Sequence, residues 1–484
     1  VQQFGGFDTI TVHDGTAPGV DSTLMSYLPH AVYNYYQNGG RQCWIVRVCP
    51  AATNARGVVA TKAVADVTTP TAGSSFTCNA DGAGKWGNDL VVRVAQQTLD
   101  ASTPPKLIFS LTVSRFSDST LLETFSNLSM TGVPGTRPVL AAINDPLAGS
   151  RYINVVMGTN VDPAAGSYQL AAGVDPGTPA AGDLTTQAVI DAMRVIDSPL
   201  IVGFQPFVTA AGVTIIPAPG AAAAALNANG RNNCFVVWDG KPLALATGGD
   251  YKADIIALAG QLGAADSYTA LYGPWITVPD PSRAGATITV PPSGSVIGMI
   301  ARVDATVGPW RAPAGTPAVL STAVAPELRF TETDQGTLNS QNINVIRPVP
   351  GSGICVMGAR TRKLYGPDRY VSDRRTLIYI EESIKRSTQW AVFENNDQRL
   401  WSSLRNAVIN LLQPVWESGG LAGNSASDAY FVHCDDTLNN PQVIQSGEVR
   451  MEVGLALQFP AEFVVIRVSQ FDSGSSIVSE AITI

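Results

Sequence analysis

CFVVWDGKPLALATGGDYKADIIALAGQLGAADSYTALYGPW (residues 234–275) decides the fold class. CFVVWD (234–239) is a short apolar run rich in aromatic and β-branched residues, the composition of a strand buried on both faces. In YKADIIALAGQLG (251–263), Ile255, Leu258, Ala259 and Leu262 recur at helical spacing and form one apolar face. Asp250 suits the N-cap of that helix and Gly263 its stop. SYTALYGPW (267–275) then returns as a strand. Strand, helix and strand in this order predict a parallel or mixed sheet with helices on its faces. Upstream, GVTIIP (212–217) reads as a further strand and the Ala-rich PAPGAAAAA (217–225) as a helix start. The α/β region therefore spans about 169–345.

Before it the chain changes character. Leu28 to Val48 reads as a helix and a strand: Pro29 sits at the helix start, Val32, Tyr35 and Tyr36 recur at helical spacing, and Gly39-Gly40 terminates it before WIVRV (44–48). From 51 to 168 the composition shifts to Thr, Ser, Ala, Gly and Pro around short alternating strands, DLVVRVAQQ (89–97), KLIFSLTVSRF (106–116) and RYINVVM (151–157). That pattern predicts an antiparallel β domain. The low-complexity stretch 163–183 reads as a linker.

After residue 345 the pattern is α+β. Leu377, Ile380, Ile384 and Ala391 mark the buried stripe of one helix, with Glu381–Lys385 and Glu382–Arg386 at the favourable i, i+4 spacing. Asp397 suits the N-cap of a second helix with the stripe Leu400, Leu404, Val408, Leu411 and Val415. Pro414 should kink that helix or end its regular part, and Gly419-Gly420 should close it. EVRMEVGLALQF (448–459) and EFVVIRVSQF (462–471) read as two strands joined by Pro460-Ala461. Beyond Phe471, the Ser/Gly joint and β-branched residues of SGSSIVSEAITI (473–484) read by themselves as a frayed end or an intrachain edge strand.

A chain of 484 residues suggests two to four domains, and 45% hydrophobic residues supply sizeable cores. Only 14% of residues are charged, below the ~25% of an ordinary globular chain. Both a subunit packed against copies of itself and a large, well-buried monomer fit that figure. The net charge of −8 argues against nucleic acid as the main partner, because neutralising phosphates needs a basic face. No apolar run is long enough to insert in a membrane as a helix. VQQFGGFDTITVHDG (1–15) carries no secretory-type leader, and the missing initial Met is compatible with a longer natural chain.

The six cysteines, Cys43, Cys49, Cys78, Cys234, Cys355 and Cys434, show no metal-binding spacing. On one strand, Cys43 and Cys49 would lie about 20 Å apart, beyond the roughly 7 Å Cα limit of a disulfide. Reduced thiols are expected.

Chemistry is sparse. A Ser-His-Asp triad needs a base in reach of a nucleophile and an acid, yet the three histidines, His13, His30 and His433, are scattered, and no G-x-S-x-G elbow occurs. On a strand, His433 and Cys434 point to opposite faces and cannot meet directly. GAGKW (82–86) has Asn79 where a P-loop needs its first Gly and Trp86 where it needs Ser or Thr. Glu381-Glu382 and Asp435-Asp436 read as solvated charges. No catalytic residue, metal site or cofactor is expected. The run Arg360, Arg362, Lys363, Arg369, Arg374, Arg375, Lys385 and Arg386 reads either as an exposed face with local ion pairs or as a surface for docking another protein.

Several longer islands occur in fixed order: YGPWITVPDP (272–281), PPSGSVIGMIARVDATVGPWRAPAG (291–315), LNSQNINVIR (338–347), GARTRKLYGPDRYVSDRRTLIYIEESI (358–384), WAVFENNDQRLWSSLRNAV (390–408), FVHCDD (431–436) and PAEFVVIRVSQ (460–470). Their order resembles the tail sheath proteins of contractile phages and related contractile injection systems, and KWGNDLVVRV (85–94) resembles an element of the β domain inserted in many of them. The resemblance implies a multidomain α/β and α+β fold. Its parts would be an N-terminal arm and first part of the core (1–50), an outward-facing inserted β domain (51–168), a subtilisin-like α/β core (169–345), an α+β C-terminal sheath domain facing a tube (346–471) and a linking arm (472–484).

It also implies a structural role: helical polymerisation around an inner tube, and contraction that drives the tube through a target envelope. The implied partners are copies of the chain, the inner tail tube protein, and baseplate and tail terminator proteins, in a virion tail assembled in the host cytoplasm. The tube-facing candidates are Lys385, Arg386, Arg399 and Arg405. Ile477, Val478, Ile482 and Ile484 are candidates for an arm that adds a strand to a neighbour's sheet. Alternatives are the sheath of an extracellular injection particle or type VI apparatus and, from another class, a subtilisin-like hydrolase.

Overall fold

The computed structural model describes residues 2–4, 24–46, 62–68, 74–83, 85–100, 106–130, 135–145, 148–159, 161–173, 193, 196, 198–205, 207–209, 214–215, 233–243, 250–261, 267–281, 285–461, 465–470 and 478–483. They gather into two units, one formed by 1–46 with 184–484 and the other by 47–183.

The first unit opens with β1 (Gln2–Phe4), β2 (Leu24–Ser26), α1 (Leu28–Gln37) and β3 (Cys43–Ile45). β1 pairs antiparallel with β3. Pro29 lies in the first turn of α1, where its missing N–H costs nothing. Gly39, with φ of +114°, turns the chain out of the helix, a conformation that only glycine adopts without strain. β3 is shorter than the expected WIVRV, whose Arg47 and Val48 lie outside the described residues, as does Cys49.

The second unit contains β4 (Lys62–Thr68), β5 (Ser74–Ala83), β6 (Leu90–Asp100), β7 (Lys106–Arg115), β8 (Leu121–Ser129), β9 (Arg137–Pro138), α2 (Val139–Ile143), β10 (Ile153–Met157) and β11 (Gly166–Gln169). Its sheets run β10-β5-β4 and β11-β6-β7-β8-β9. Pairing is antiparallel except between β8 and β9. Alternation is visible in Leu90–Val94: Leu90, Val92 and Val94 are buried while Arg93 is exposed. These join Phe76, Leu111 and Leu128 in one core. The expected linker 163–183 is not wholly connective. Its residues 166–169 form β11, because Tyr168 packs on that core while Gly166 to Gln169 pair with β6.

The first unit resumes with β12 (Leu200–Gly203), β13 (Phe207–Thr209), β14 (Thr214–Ile215), β15 (Cys234–Asp239), α3 (Tyr251–Gln261), β16 (Thr269–Gly273), β17 (Ile276–Pro279), β18 (Thr287–Val290), α4 (Ser293–Thr306), β19 (Ala325–Pro326), α5 (Glu332–Ser340), β20 (Ile343–Val349) and β21 (Gly353–Val356). The central sheet runs β12-β15-β16-β20-β21. Its first four strands are parallel and β21 is antiparallel. Asp250 caps α3 by accepting from the backbone N–H groups of Lys252 and Ala253. Ile255, Leu258 and Ala259 are buried as its spacing predicts, while Leu262 and Gly263 lie outside the described residues.

Within GVTIIP the described Thr214 and Ile215 form a strand as expected, β14, but it pairs antiparallel with β13 in a sheet completed by β2, and the strand beside β15 is β12. Residues 217–225 lie outside the described residues. The boundary expected after residue 345 falls inside β20, so residues 346–356 complete the central sheet.

α4 carries Gly294 and Gly298 one turn apart, and a Cβ at either would collide with the backbone oxygen of Ala31 or of Tyr35 in α1. The two glycines therefore let α1 and α4 pack backbone against side-chain-free surface. Asn38, just past α1, closes the joint: its Oδ1 accepts from Ser321 N–H at 2.7 Å and its carbonyl from Arg302 at 3.1 Å. The segment before the second unit is thereby locked to the central sheet.

The remainder comprises α6 (Val371–Ser387), α7 (Gln398–Glu417), α8 (Ala426–Ala429), β22 (Tyr430–His433), α9 (Pro441–Gln445), β23 (Glu452–Leu455), β24 (Val465–Gln470) and β25 (Val478–Thr483). Asp397 caps α7, accepting from the N–H groups of Arg399 and Leu400 at 2.9 Å. Leu412, not Leu411, is the fully buried residue of the α7 stripe, beside Val408 and Val415. Pro414 does not end the helix: it has no N–H to donate to Asn410, but its carbonyl still accepts from Ser418 N–H and the helix runs on to Glu417. Closure is a Schellman motif, with Gly419 at φ +78°, Gly420 N–H donating to Val415 and Gly419 N–H to Trp416.

In α6, Leu377 is half-buried and Ile378 takes its place, because the first half of this helix enters the core of the central sheet. Ile384 is half-buried, and Ala391 lies beyond the helix in a 3-10 turn, Gln389–Ala391. The expected strand 448–459 shortens to β23, which pairs with β22. The 462–471 strand becomes β24, and its partner is β25.

Candidate functional site

Side chains that could do chemistry are held apart. His30 faces Asp280 at 3.6 Å, both buried, and neither ring nitrogen makes a hydrogen bond. His433 is exposed on β22 against the Phe431 ring, while Cys434 points inward among Leu400, Trp401 and Leu404. His13 lies outside the described residues. Among the described residues no three His, Cys, Asp or Glu side chains form a metal-holding group. Cys43, Cys78, Cys234, Cys355 and Cys434 form no disulfide with one another.

The basic run is not one face. Arg360, Arg362 and Arg375 are buried. Arg362 donates to the carbonyls of Gln341, Asn342 and Ala259, and burial lowers its pKa. Arg360 donates through its guanidinium to Asn339, and Asn344 clamps the Arg360 backbone from both sides, accepting its N–H at 2.7 Å and donating to its carbonyl at 2.8 Å. A Cβ on Gly358 would stand 2.8 Å from Asn344 Oδ1. LNSQNINVIR and GARTRKLY are therefore two sides of an interior polar joint. Its arginines are spent on carbonyls, which reduces the cost of burying them.

The joint continues into α6. Arg375 holds both carboxylate oxygens of Asp304 on α4. Arg374 donates to Ser267 and Asp368, and its guanidinium lies 4.4 Å from the centre of the Tyr268 ring. Asp373 is buried with one oxygen unpartnered, and burial pushes its pKa up to about 6. Past Ile378 the helix changes partners, and Ile380 joins Val408, Leu412 and Val415 in the core of the C-terminal part. One helix thus belongs to two cores.

A second buried carboxylate, Asp239, ends β15. It accepts the backbone N–H of Ser293 at the start of α4 at 2.7 Å, and its other oxygen has no partner. Burial pushes its pKa up to about 7, against the opposing pull of Ser293. No local pattern in the sequence marks this residue, since the helix end it meets is 54 positions away.

The outer surface of α6 and α7 gathers the predicted cations. Lys385 and Arg386 are exposed on the last turn of α6, Arg399 is exposed on the first turn of α7, and Arg405 is half-buried further along. Arg386 pairs with Glu382 at 3.1 Å, as the spacing predicts. Between the helices, Trp390, Val392 and Phe393 project as a knob that sequence reading missed, having placed only their neighbour Ala391, on a buried stripe. Phe393 is fully exposed, at 102%, with φ of +71°, a strained conformation for a bulky side chain. The knob is held from behind: Ala391 packs with Leu400 and Trp401, and Asn396 bonds both the Glu448 carbonyl and the Trp401 indole at 2.8 Å.

Of the arm candidates, Val478 and Ile482 lie in β25, opposite Gln470 and Ile466 of β24. Ile477 and Ile484 lie outside the described residues.

Comparison with known proteins gives a consistent answer. Residues 218–362 match the family model of the phage tail sheath protein central domain, and residues 369–471 that of the phage tail sheath C-terminal domain. The tail sheath protein of Enterobacteria phage T4 is 27% identical over 161 residues, 33% of this chain and 24% of that protein. The chain thus spans about a quarter of the length of the curated relative it matches. A chain of the contracted PVC sheath complex, an extracellular contractile injection system, is 32% identical, with 54% of this chain and 71% of that one covered at a TM-score of 0.46. The sheath tail protein of Listeria innocua covers 100% of this chain and 90% of its own at 10% identity and a TM-score of 0.51, a likeness of fold.

Proposed function

The chain belongs to the phage tail sheath family, and from that premise we propose that it is a structural subunit of a contractile sheath. In this reading it polymerises helically around an inner tube in an extended, metastable state. A signal from the baseplate releases a shorter, wider lattice that drives the tube through a target envelope. The observation that carries the reading is the pair of family matches, in order, over the central sheet and the helical C-terminal part. The work comes from the lattice, so no catalytic residue or cofactor is assigned.

Within this reading the α/β core is subtilisin-like, the second unit faces outward, and the C-terminal part with Lys385, Arg386, Arg399 and Arg405 turns toward the tube. Segments at both chain ends link neighbours by strand addition, with Ile477, Val478, Ile482 and Ile484 in the C-terminal one. Its partners are copies of itself, the tube protein, and baseplate and terminator proteins, in a tail assembled in the host cytoplasm. Physically, a subunit whose two cores share α6 moves as a stiff body, and deformation is left to its connections.

Negative-stain electron microscopy of the full-length protein, alone and with its tube protein, tests the proposal. Hollow tubes with a helical repeat are expected, and dispersed particles in both preparations would refute it. Deleting 472–484 should leave a folded subunit that forms no sheath. Normal sheaths from the truncation would remove the arm from the assignment.

A further inference from the structure

Two of the arm candidates, Val478 and Ile482, lie in a hairpin. β24 (Val465–Gln470) pairs antiparallel with β25 (Val478–Thr483) in unbroken register, from Gln470 opposite Val478 to Val465 opposite Thr483. Among the described residues these two strands are a sheet of their own. Ile466 stands opposite Ile482, a β-branched pair of the kind that holds strands together. The antiparallel return brings Thr483 back beside Val465, where β24 begins, so the paired segment reaches no farther than its own strand. Unpaired and extended, the thirteen residues 471–483 would span roughly 45 Å, at about 3.3–3.6 Å each.

We infer that this hairpin is the stowed form of the linking arm: a free subunit holds β25 on its own β24, and assembly opens the hairpin and seats β25 on β24 of a second copy. The inference rests on the strand-linked self-assembly proposed above. It adds the state of the arm before assembly and the strand that receives it. The fit of this occupant is already on view, because an identical strand fills the same edge in register within one chain. Main-chain bonds made within a chain and between copies are the same, so exchange changes the free energy little and the surrounding contacts set its direction. A two-stranded hairpin standing alone is only marginally stable in water, so it opens readily. In dilute solution, however, the chain's own strand has the advantage. The seven-residue tether 471–477 gives β25 an effective concentration on the order of millimolar beside its own β24, far above that of dilute subunits. Copies held side by side in a growing lattice remove that advantage. Stowing therefore suppresses polymer in free solution and permits it at a growing end.

A cross-strand disulfide tests this. Ser469 and Ser479 stand directly opposite each other. Such residues in an antiparallel pair have Cα atoms about 4.5–5.5 Å apart, within disulfide range. The full-length chain carrying Ser469→Cys and Ser479→Cys is oxidised as a monomer, and the 469–479 bond is verified by mass spectrometry. Locked in the hairpin, it should form no sheath, and reduction should restore polymer to the parent's level. The parent treated with the same oxidant should polymerise throughout, which controls for the native cysteines. In a second experiment, chains with Ser469→Cys alone are mixed with chains with Ser479→Cys alone, polymerised and then oxidised. A disulfide-linked dimer should appear on a non-reducing gel and be absent from the unpolymerised mixture. Two results overturn the inference. One is locked chains that polymerise like the parent, as they would if neighbours added to an outer edge of an intact hairpin. The other is a mixed polymer of normal yield without the cross-linked dimer. Failure of the unmodified chain to polymerise, alone and with its tube protein, would instead count against the self-assembly reading.

Discussion

Arg375 grips both carboxylate oxygens of Asp304, tying α6 to α4 across 71 residues of sequence. Arg375 is 8% exposed and Asp304 27%, so the pair is largely withdrawn from water. It sits where α6 leaves the core of the central sheet for that of the C-terminal part. Breaking it should do more than loosen a surface contact, because the surviving Asp304 charge is left partly shielded from water and without its partner. Arg375→Leu is expected to lower stability by about 1.5–3 kcal/mol, read from urea unfolding. A companion Asp304→Leu in the same chain should recover part of the loss.

The α1–α4 joint depends on two missing side chains. Gly294→Ala places a methyl against the Ala31 backbone, and Gly298→Ala against that of Tyr35. Backbone cannot swing aside as a side chain can, so α1 must separate from α4. Each change should cost about 1–3 kcal/mol and expose residues 28–37 to proteolysis. An unchanged melting temperature and digestion pattern would contradict this packing.

Gly358 fits the polar joint for the same reason. Its absent Cβ leaves room for Asn344, which bonds the Arg360 backbone twice. Gly358→Ala should displace Asn344, and Asn344→Ala should remove both bonds and leave buried groups unpaired. About 1–3 kcal/mol is expected for the asparagine, with the double variant costing less than the sum. Additive losses in urea titrations would separate the two residues.

Stability should fall from mildly acid to alkaline pH. Burial raises Asp239 from an ordinary 3.8 to about 7 and Asp373 from 3.8 to about 6, so the folded chain holds protons that the unfolded chain has released. Their stabilising contribution is complete below about pH 4 and is lost as pH rises through 6 and 7. Asp239→Asn should keep an acceptor for Ser293, raise stability at pH 8 by an amount on the order of a few kcal/mol, and flatten the slope between pH 5 and 8. The slope due to Asp373 should persist. A variant with the parent's full pH dependence would rule out Asp239 as its source.

The α7 stripe offers a control in the C-terminal core. Leu412 is completely buried and Leu411 is not. Leu412→Ala should therefore cost about 2–5 kcal/mol, and Leu411→Ala much less. Equal losses in thermal melts would mean the helix is rotated from the orientation described.

Sequence alone determined the features written in short-range patterns. The run 234–275 specified strand, helix and parallel strand through periodicity and caps, and Asp397 and Gly419-Gly420 bounded α7. The ordered islands identified the family through residues whose roles they did not reveal. Tertiary structure decided where polar groups go. Arg360, Arg362 and Arg375 read as a basic face, yet each is buried on carbonyls or on Asp304. Ala391 reads as the end of a buried stripe, yet its neighbours Trp390, Val392 and Phe393 are exposed. His30 finds Asp280, Gly294 finds Ala31, and β24 takes β25 instead of the strand before it. Periodicity records which face of an element is apolar. It does not record which distant element meets that face. A buried charge is tolerable only where the assembled fold supplies its partners, so those partners become visible only in the folded chain.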